Sequence, residues 1–130
     1  MINSAEEFKR YIQSDNEIER AKAEDIASDE VWFEVLSKYP ELARQIVANN
    51  TISVEVLDRL SLTEDATVRW DIAMKRRINR PTFERLAFDR DTKVRHRIAC
   101  NPKVPKDILA KLVTDKDEMV SAAAKKRLSD

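Results

Sequence analysis

The chain has 130 residues, in which 24 Lys/Arg balance 24 Asp/Glu; charged residues make up 37% of it and aromatic residues 6%. It contains no glycine and only one cysteine, which excludes an internal disulfide and argues against tight hairpins and phosphate-cradling glycine loops. No apolar run is long enough to span a bilayer, and the first residues lack the apolar core of a signal peptide. We therefore expect a single cytoplasmic domain over residues 1–130, with no membrane contact.

Residues 1–40 are predicted to form an N-terminal cap and a degenerate repeat. Ser4 and Glu7 have the spacing of a capping box, which predicts a helix that ends at about Ser14. A degenerate first helix is expected within residues 17–25 and a plainer amphipathic helix over about residues 29–38. The apolar face of the latter is predicted to be Trp32, Phe33 and Leu36.

Residues 41–117 are interpreted as three regular repeat units, because five apolar columns recur at a spacing of 26 residues without gaps. The columns are Leu42, Val68, Val94 and Val120; Ile46, Ile72 and Ile98; Val47, Ala73 and Ala99; Leu57, Phe83 and Leu109; and Leu60, Leu86 and Leu112. Self-similarity at such a period is typical of stacked repeats that bury their apolar faces on one another. The sequence therefore predicts an all-α fold, a short α-solenoid of helix pairs.

Each unit is predicted to contain two helices, and the residues around the first turn of each helix determine where it begins. The aligned aspartates Asp65, Asp91 and Asp117 are expected to be the N-caps of the first helices. The second helices should begin near Ser53, Asn79 and Pro105, each after a buried apolar residue with the spacing of a hydrophobic staple. Residues 118–130 are expected to form a C-terminal capping helix, so that both ends of the solenoid are capped.

The segment Val94–Leu112, VRHRIACNPKVPKDILAKL, resembles the variant leucine-rich repeat, whose pattern is roughly V-R-x-x-V-A-x-N-P-x-T-P-x-x-L-L-x-x-L. The preceding copy keeps Val68, Arg69 and Ile72 but has Lys75 and Arg76 in place of Asn-Pro. The resemblance implies a right-handed, HEAT-like superhelix in which one helix of each pair is often short and 3₁₀-like. It implies a scaffold and no activity. The iron–sulfur-binding cysteine segment of some members has no counterpart here, so no cofactor is expected.

Few residues have side chains that could catalyse a reaction or bind a metal or another ligand. The sole histidine, His96, lies four residues before the sole cysteine, Cys100, so the two share one side of a helix. They could form a thiolate–imidazolium pair or half of a metal site, but no other His or Cys is available, and packing is the preferred interpretation. Arg69 and Arg95 could bind phosphate or carboxylate; the preferred interpretation is that each braces its own repeat through a capping aspartate or a loop carbonyl. Asp71 and Arg97 are predicted to form an ion pair between repeats.

Charge is distributed unevenly along the chain. Residues 1–68 carry 7 Lys/Arg and 15 Asp/Glu, whereas residues 69–130 carry 17 and 9, so a net charge of −8 is followed by one of +8. The densest basic run lies between Arg69 and Arg97. It could bind a nucleic-acid backbone or an acidic protein surface, or it could be the scattered charge of solvated helical repeats.

We expect a non-enzymatic protein-binding scaffold, with no metal, whose unidentified partner is a protein and which is a monomer or self-associates weakly. The alternative is a nucleic-acid-binding solenoid that uses the basic C-terminal half. At about 100° per residue, a strip opposite the core of the first helices is predicted to face outward and bind the partner. It consists of Trp70, Met74, Arg77, His96 and Arg97. The other interpretation of Trp70 is that it covers the seam to the next repeat.

Overall fold

The computed structural model describes residues 1–130 and is built of helices, which confirms the all-α prediction. The one β-type contact is an isolated parallel bridge between Ile2 and Ala27. The chain divides into two compact units, Met1–Leu60 and Ser61–Asp130. None of its helices combines the length and the hydropathy of a membrane-spanning segment.

The unit Met1–Leu60 contains five α-helices, which alternate in part with short 3₁₀ turns. They are α1 (Ala5–Gln13), α2 (Glu17–Ala21), α3 (Asp29–Lys38), α4 (Ala43–Val47) and α5 (Val54–Leu60), with 3₁₀ turns at Lys22–Glu24 and Pro40–Leu42. Side-chain oxygens of Ser4, Asn16 and Ser28 accept hydrogen bonds from the first backbone N–H groups of α1, α2 and α3. The predicted opening helix and the predicted helix over residues 29–38 are confirmed.

The core of this unit is centred on two aromatic rings. Phe8 and Trp32 are fully buried and meet edge to face, with their ring centroids 5.0 Å apart. Val35 is also fully buried, whereas Phe33 and Leu36 are only half-buried. The apolar face predicted for α3 is therefore rotated, because this helix contacts both α1 and α5.

The unit Ser61–Asp130 contains the remaining five helices. They are α6 (Ala66–Ala73), α7 (Arg80–Ala87), α8 (Thr92–Ala99), α9 (Lys106–Leu112) and α10 (Glu118–Ser129). The three aligned aspartates cap α6, α8 and α10 as predicted. Each carboxylate accepts from the backbone N–H two residues later, at 2.9 Å for Asp65, 2.8 Å for Asp91 and 2.9 Å for Asp117.

The five predicted apolar columns are confirmed as core. No member is more than 6% exposed, and most are inaccessible to water. The residues that precede the second helices, Ile52, Ile78 and Val104, are also buried. Burial of a large aliphatic or aromatic side chain stabilises a fold by about 1.5–3 kcal/mol, so these columns contribute strongly to stability.

A buried asparagine connects a loop to the end of an earlier helix in each unit. Asn101 donates from Nδ2 to the carbonyl oxygens of Ala73 and Lys75, both at 2.8 Å, and accepts from the Lys103 backbone N–H. Asn49 makes the corresponding bonds within the first unit. Because a buried amide without partners costs about 1–3 kcal/mol, these complete hydrogen-bond sets fix the loops.

Candidate functional site

The most prominent feature around the predicted binding residues is a groove beside Trp70. It has a volume of about 380 Å³ and is lined by Ala66, Thr67, Trp70, Asp91, Lys93 and Val94. All six residues belong to the first turns or the middle of α6 and α8, or to the cap of α8. Trp70 is partly exposed and Lys93 is exposed, so the groove offers a ligand both an aromatic ring and a positive charge.

The rest of the predicted strip is only partly helical. Met74, four residues after Trp70, is the C-cap of α6 and is 39% exposed. Arg77 is exposed but lies in the loop between α6 and α7, because α6 already ends at Ala73. The helical phase used to place Arg77 beside Trp70 therefore does not apply to it. His96 and Arg97 are half-buried residues of α8. The grouping of all five residues into one binding face stays a prediction.

His96 and Cys100 are neighbours, as their spacing predicts. The Cys100 Sγ lies 4.0 Å from Nδ1 and 3.9 Å from Nε2 of the imidazole. No cluster of three or more His, Cys, Asp or Glu side chains is arranged to hold a metal ion. The contact is long for a hydrogen bond to a ring nitrogen and includes no third polar group that would orient the imidazole.

The predicted ion pair between Asp71 and Arg97 is not formed. The Nε of Arg97 is buried and has no hydrogen-bond partner. Asp71 instead lies near Lys75, whose pKa is lowered by burial and is only partly restored by the Asp71 charge. Lys75 stands in the column that Asn49 and Asn101 occupy elsewhere, so this column carries a half-buried cation in the central copy.

The two arginines that could have bound a ligand are fully occupied inside the fold. Arg69 forms a bidentate ion pair with Asp89, with N–O distances of 2.8 and 3.2 Å. It also donates to the Thr63 carbonyl oxygen at 2.9 Å. Its side chain is 5% exposed and that of Asp89 is 6% exposed.

Arg95 repeats this arrangement with different partners. It binds the Asp115 carboxylate at 2.9 and 3.3 Å and donates to the Asp89 carbonyl oxygen at 2.8 Å. The predicted hydrogen bond from each arginine to a loop carbonyl oxygen is confirmed. The predicted bond to the capping aspartate is wrong, because each arginine binds a different carboxylate. This carboxylate belongs to the residue two positions before the cap.

Lowering the pH is expected to weaken the ion pair between Arg95 and Asp115. Burial raises the pKa of Asp115, but hydrogen bonds from Arg95 and from the Asp117 backbone N–H outweigh it, so the pKa is lower than usual. The carboxylate should then contribute fully to the free energy of unfolding above about pH 4, the ordinary aspartate pKa. That contribution should be lost as the pH falls through the lower folded-state pKa.

Urea unfolding of the wild type and of Asp115→Asn, from neutral pH down to about pH 3, measures this contribution. The difference in stability between the two proteins should shrink in acid, since a protonated aspartate and an asparagine carry the same charge. A difference that stays constant would mean that the carboxylate is not more acidic in the folded protein.

Comparison with protein-family models, with curated proteins and with solved structures gives no match to this chain.

Proposed function

We propose that residues 1–130 form a single short right-handed α-solenoid of variant leucine-rich repeats, a non-enzymatic scaffold in the cytoplasm that binds a protein partner. The observation that carries the binding proposal is the groove beside Trp70, in which a partly exposed aromatic ring stands next to a charged rim. Tryptophan is one of the residue types enriched among the hot spots that dominate the binding energy of protein interfaces.

Support for the repeat architecture comes from contacts inside Ser61–Asp130. Arg69 and Arg95, 26 residues apart, each bind a carboxylate 20 residues later and a carbonyl oxygen six residues earlier. The N-capping aspartates recur at the same offset. A stack of equivalent helix pairs explains why the same polar contacts reappear with the same sequence separations.

The nucleic-acid alternative is weakened by how the basic run is used. Arg69 and Arg95 are buried in ion pairs, Arg80 pairs with Asp107 and Glu84, and Arg90 pairs with Glu64. Arg69 and Arg95 are therefore not available to phosphates, whereas the exposed pairs of Arg80 and Arg90 can exchange their partners. A phosphate-binding protein loses affinity steeply with added salt, so a salt titration with single- and double-stranded oligonucleotides tests this alternative.

Replacing Trp70 with alanine is expected to weaken partner binding by at least about 2 kcal/mol, the usual hot-spot threshold, because the variant removes the aromatic wall of the groove. Bait protein with and without the substitution is exposed to native cell extract, with and without nuclease, and captured proteins are quantified by mass spectrometry. The affinity of each recovered partner is then measured by calorimetry.

The matched control is Met119→Ala, which removes an apolar side chain that is 71% exposed on α10, away from the groove. It should retain every partner. The melting temperature of Trp70→Ala should stay close to that of the wild type. A large drop in melting temperature, or undiminished binding, would assign Trp70 to the scaffold, where it covers the seam between α6 and α8.

A further inference from the structure

A second groove in Ser61–Asp130 lies where α7 and α9 end. It has a volume of about 350 Å³ and shares no lining residue with the groove beside Trp70. Its lining residues include the aromatic Phe88 and the charged residues Asp89, Arg90, Lys111, Asp115 and Lys116. None of them belongs to the strip predicted from the sequence.

The apolar part of this groove is Phe88, the C-cap of α7, whose side chain is 63% exposed. Leu112, which also lines the groove, is fully buried. Single exposed apolar side chains are normal on protein surfaces. What distinguishes Phe88 is that the groove also contains several cations.

The carboxylates in the groove are already neutralised. Asp89 is paired with Arg69, and Asp115 is paired with Arg95, in both cases with side chains that are almost completely buried. Each carboxylate also accepts from a backbone N–H of the following cap. The acidic residues of the lining therefore present no unbalanced negative charge to a ligand.

The remaining charges at the groove are three exposed cations, Arg90, Lys111 and Lys116. Lys111 and Lys116 form no ion pair. Arg90 binds Glu64 at 2.8 Å, but both side chains are largely exposed. Because such surface pairs contribute little, Arg90 can exchange Glu64 for a carboxylate of a ligand. The rim of the groove is therefore positive.

We propose that this groove binds an acidic peptide segment of a partner protein, with an apolar side chain on Phe88 and carboxylates at Arg90, Lys111 and Lys116. The site is additional to the groove beside Trp70. Complementary charge of this kind steers association and fixes the orientation of a bound segment. A nucleic-acid strand fits less well, since strand binding relies on a basic groove that follows the backbone and on successive stacking platforms. Here one aromatic ring stands among three cations.

The carbonyl ends of α7 and α9 restrict where the acidic groups can lie. Helix C-termini carry partial negative charge, so carboxylates are disfavoured at the ends of α7 and α9. The acidic groups of the peptide are therefore expected to bind at the exposed cations Arg90, Lys111 and Lys116.

Fluorescence anisotropy with a labelled peptide tests this proposal. The probe has two central phenylalanines flanked by glutamates, and a second probe has lysines in place of the glutamates. The full-length protein should bind the acidic probe and not the basic one. The double variant Lys111→Gln, Lys116→Gln should bind the acidic probe about fivefold more weakly, the effect of losing two exposed ion pairs. Phe88→Ala should also bind it more weakly, but with an unchanged dependence on salt.

The matched control is the double variant Lys103→Gln, Lys106→Gln, which removes the same charge from exposed lysines of the same unit outside the groove. It should bind within about twofold of the wild type, since distant surface charges are screened. Circular dichroism confirms that each variant is folded. Should one groove variant fail to fold, the other still decides the question.

Three results would overturn the proposal. The first is absence of binding of the acidic probe by the wild type. The second is an equal loss of affinity in the control and in the groove variant, which would indicate nonspecific attraction. The third is displacement of the probe by a single-stranded oligonucleotide that binds more tightly, which would make the groove a nucleic-acid site. A failure of the Trp70→Ala prediction leaves this proposal standing, because the two grooves have no residue in common.

Discussion

Replacing Arg95 with alanine is expected to destabilise the protein by about 3–5 kcal/mol, the usual cost of removing one partner of a buried ion pair. The Arg95 and Asp115 side chains are 6% and 8% exposed. The substitution leaves the Asp115 carboxylate buried without its cation and leaves the Asp89 carbonyl oxygen without its donor. The free energy of unfolding from urea titration at neutral pH measures the loss.

Arg90→Ala is the matched control for this experiment, because it also removes an arginine from an ion pair. The side chains of Arg90 and Glu64 are 67% and 92% exposed, so the substitution should cost no more than about 1 kcal/mol. The double variant Arg95→Met, Asp115→Leu should recover most of the loss, since an apolar pair leaves no charge buried. Equal costs for Arg90→Ala and Arg95→Ala would contradict the bracing role of Arg95.

The apolar core of Ser61–Asp130 could be predicted from the sequence because two independent patterns agree there. Residues such as Ile72 and Ile98 recur at a fixed spacing, and each also has the helical spacing to Val68 or Val94 that one apolar face requires. The starts of α6, α8 and α10 could be predicted because an N-capping aspartate acts on its own first turn.

The partners of the buried arginines could not be derived in the same way. A guanidinium on a long side chain reaches across to the next loop, and a through-space distance is not encoded by helical periodicity. A signal was nevertheless present. Asp89 and Asp115 align with each other two residues before the capping aspartates, and the earlier copy has Thr63 in that position. An aligned acid in a loop with an aligned arginine earlier in the chain indicates such a pair.

Grooves are hard to derive from a sequence, because they depend on where helices end. Extrapolation at constant helical phase places Arg77 beside Trp70, but α6 ends at Ala73 and the chain turns away. The groove beside Phe88 was missed altogether, since Leu62 and Thr114 occupy the aligned positions and no column marks it. Its sequence signal is the exposed aromatic at the end of α7 followed closely by Arg90.

The remaining large effect is expected in the core, where Leu86→Ala should cost about 2–5 kcal/mol. Leu86 is fully buried in α7, and it belongs to the column of leucines that includes Leu60 and Leu112. The substitution removes several buried methyl and methylene groups, and it leaves a cavity, because the neighbouring helices are held by their own caps and can close only part of the space. The free energy of unfolding from urea titration measures the cost.

Two controls separate loss of burial from a general sensitivity of α7. Glu84→Ala, two residues away, removes an exposed side chain whose ion pair with Arg80 is half-exposed on both sides, so it should stay within about 0.5 kcal/mol of the wild type. Leu86→Met keeps most of the volume and should cost less than about 1.5 kcal/mol. If Leu86→Ala and Glu84→Ala had equal effects, the helical phase assigned to α7 would be wrong. If Leu86→Met cost as much as Leu86→Ala, the column would depend on the shape of leucine rather than on its buried volume.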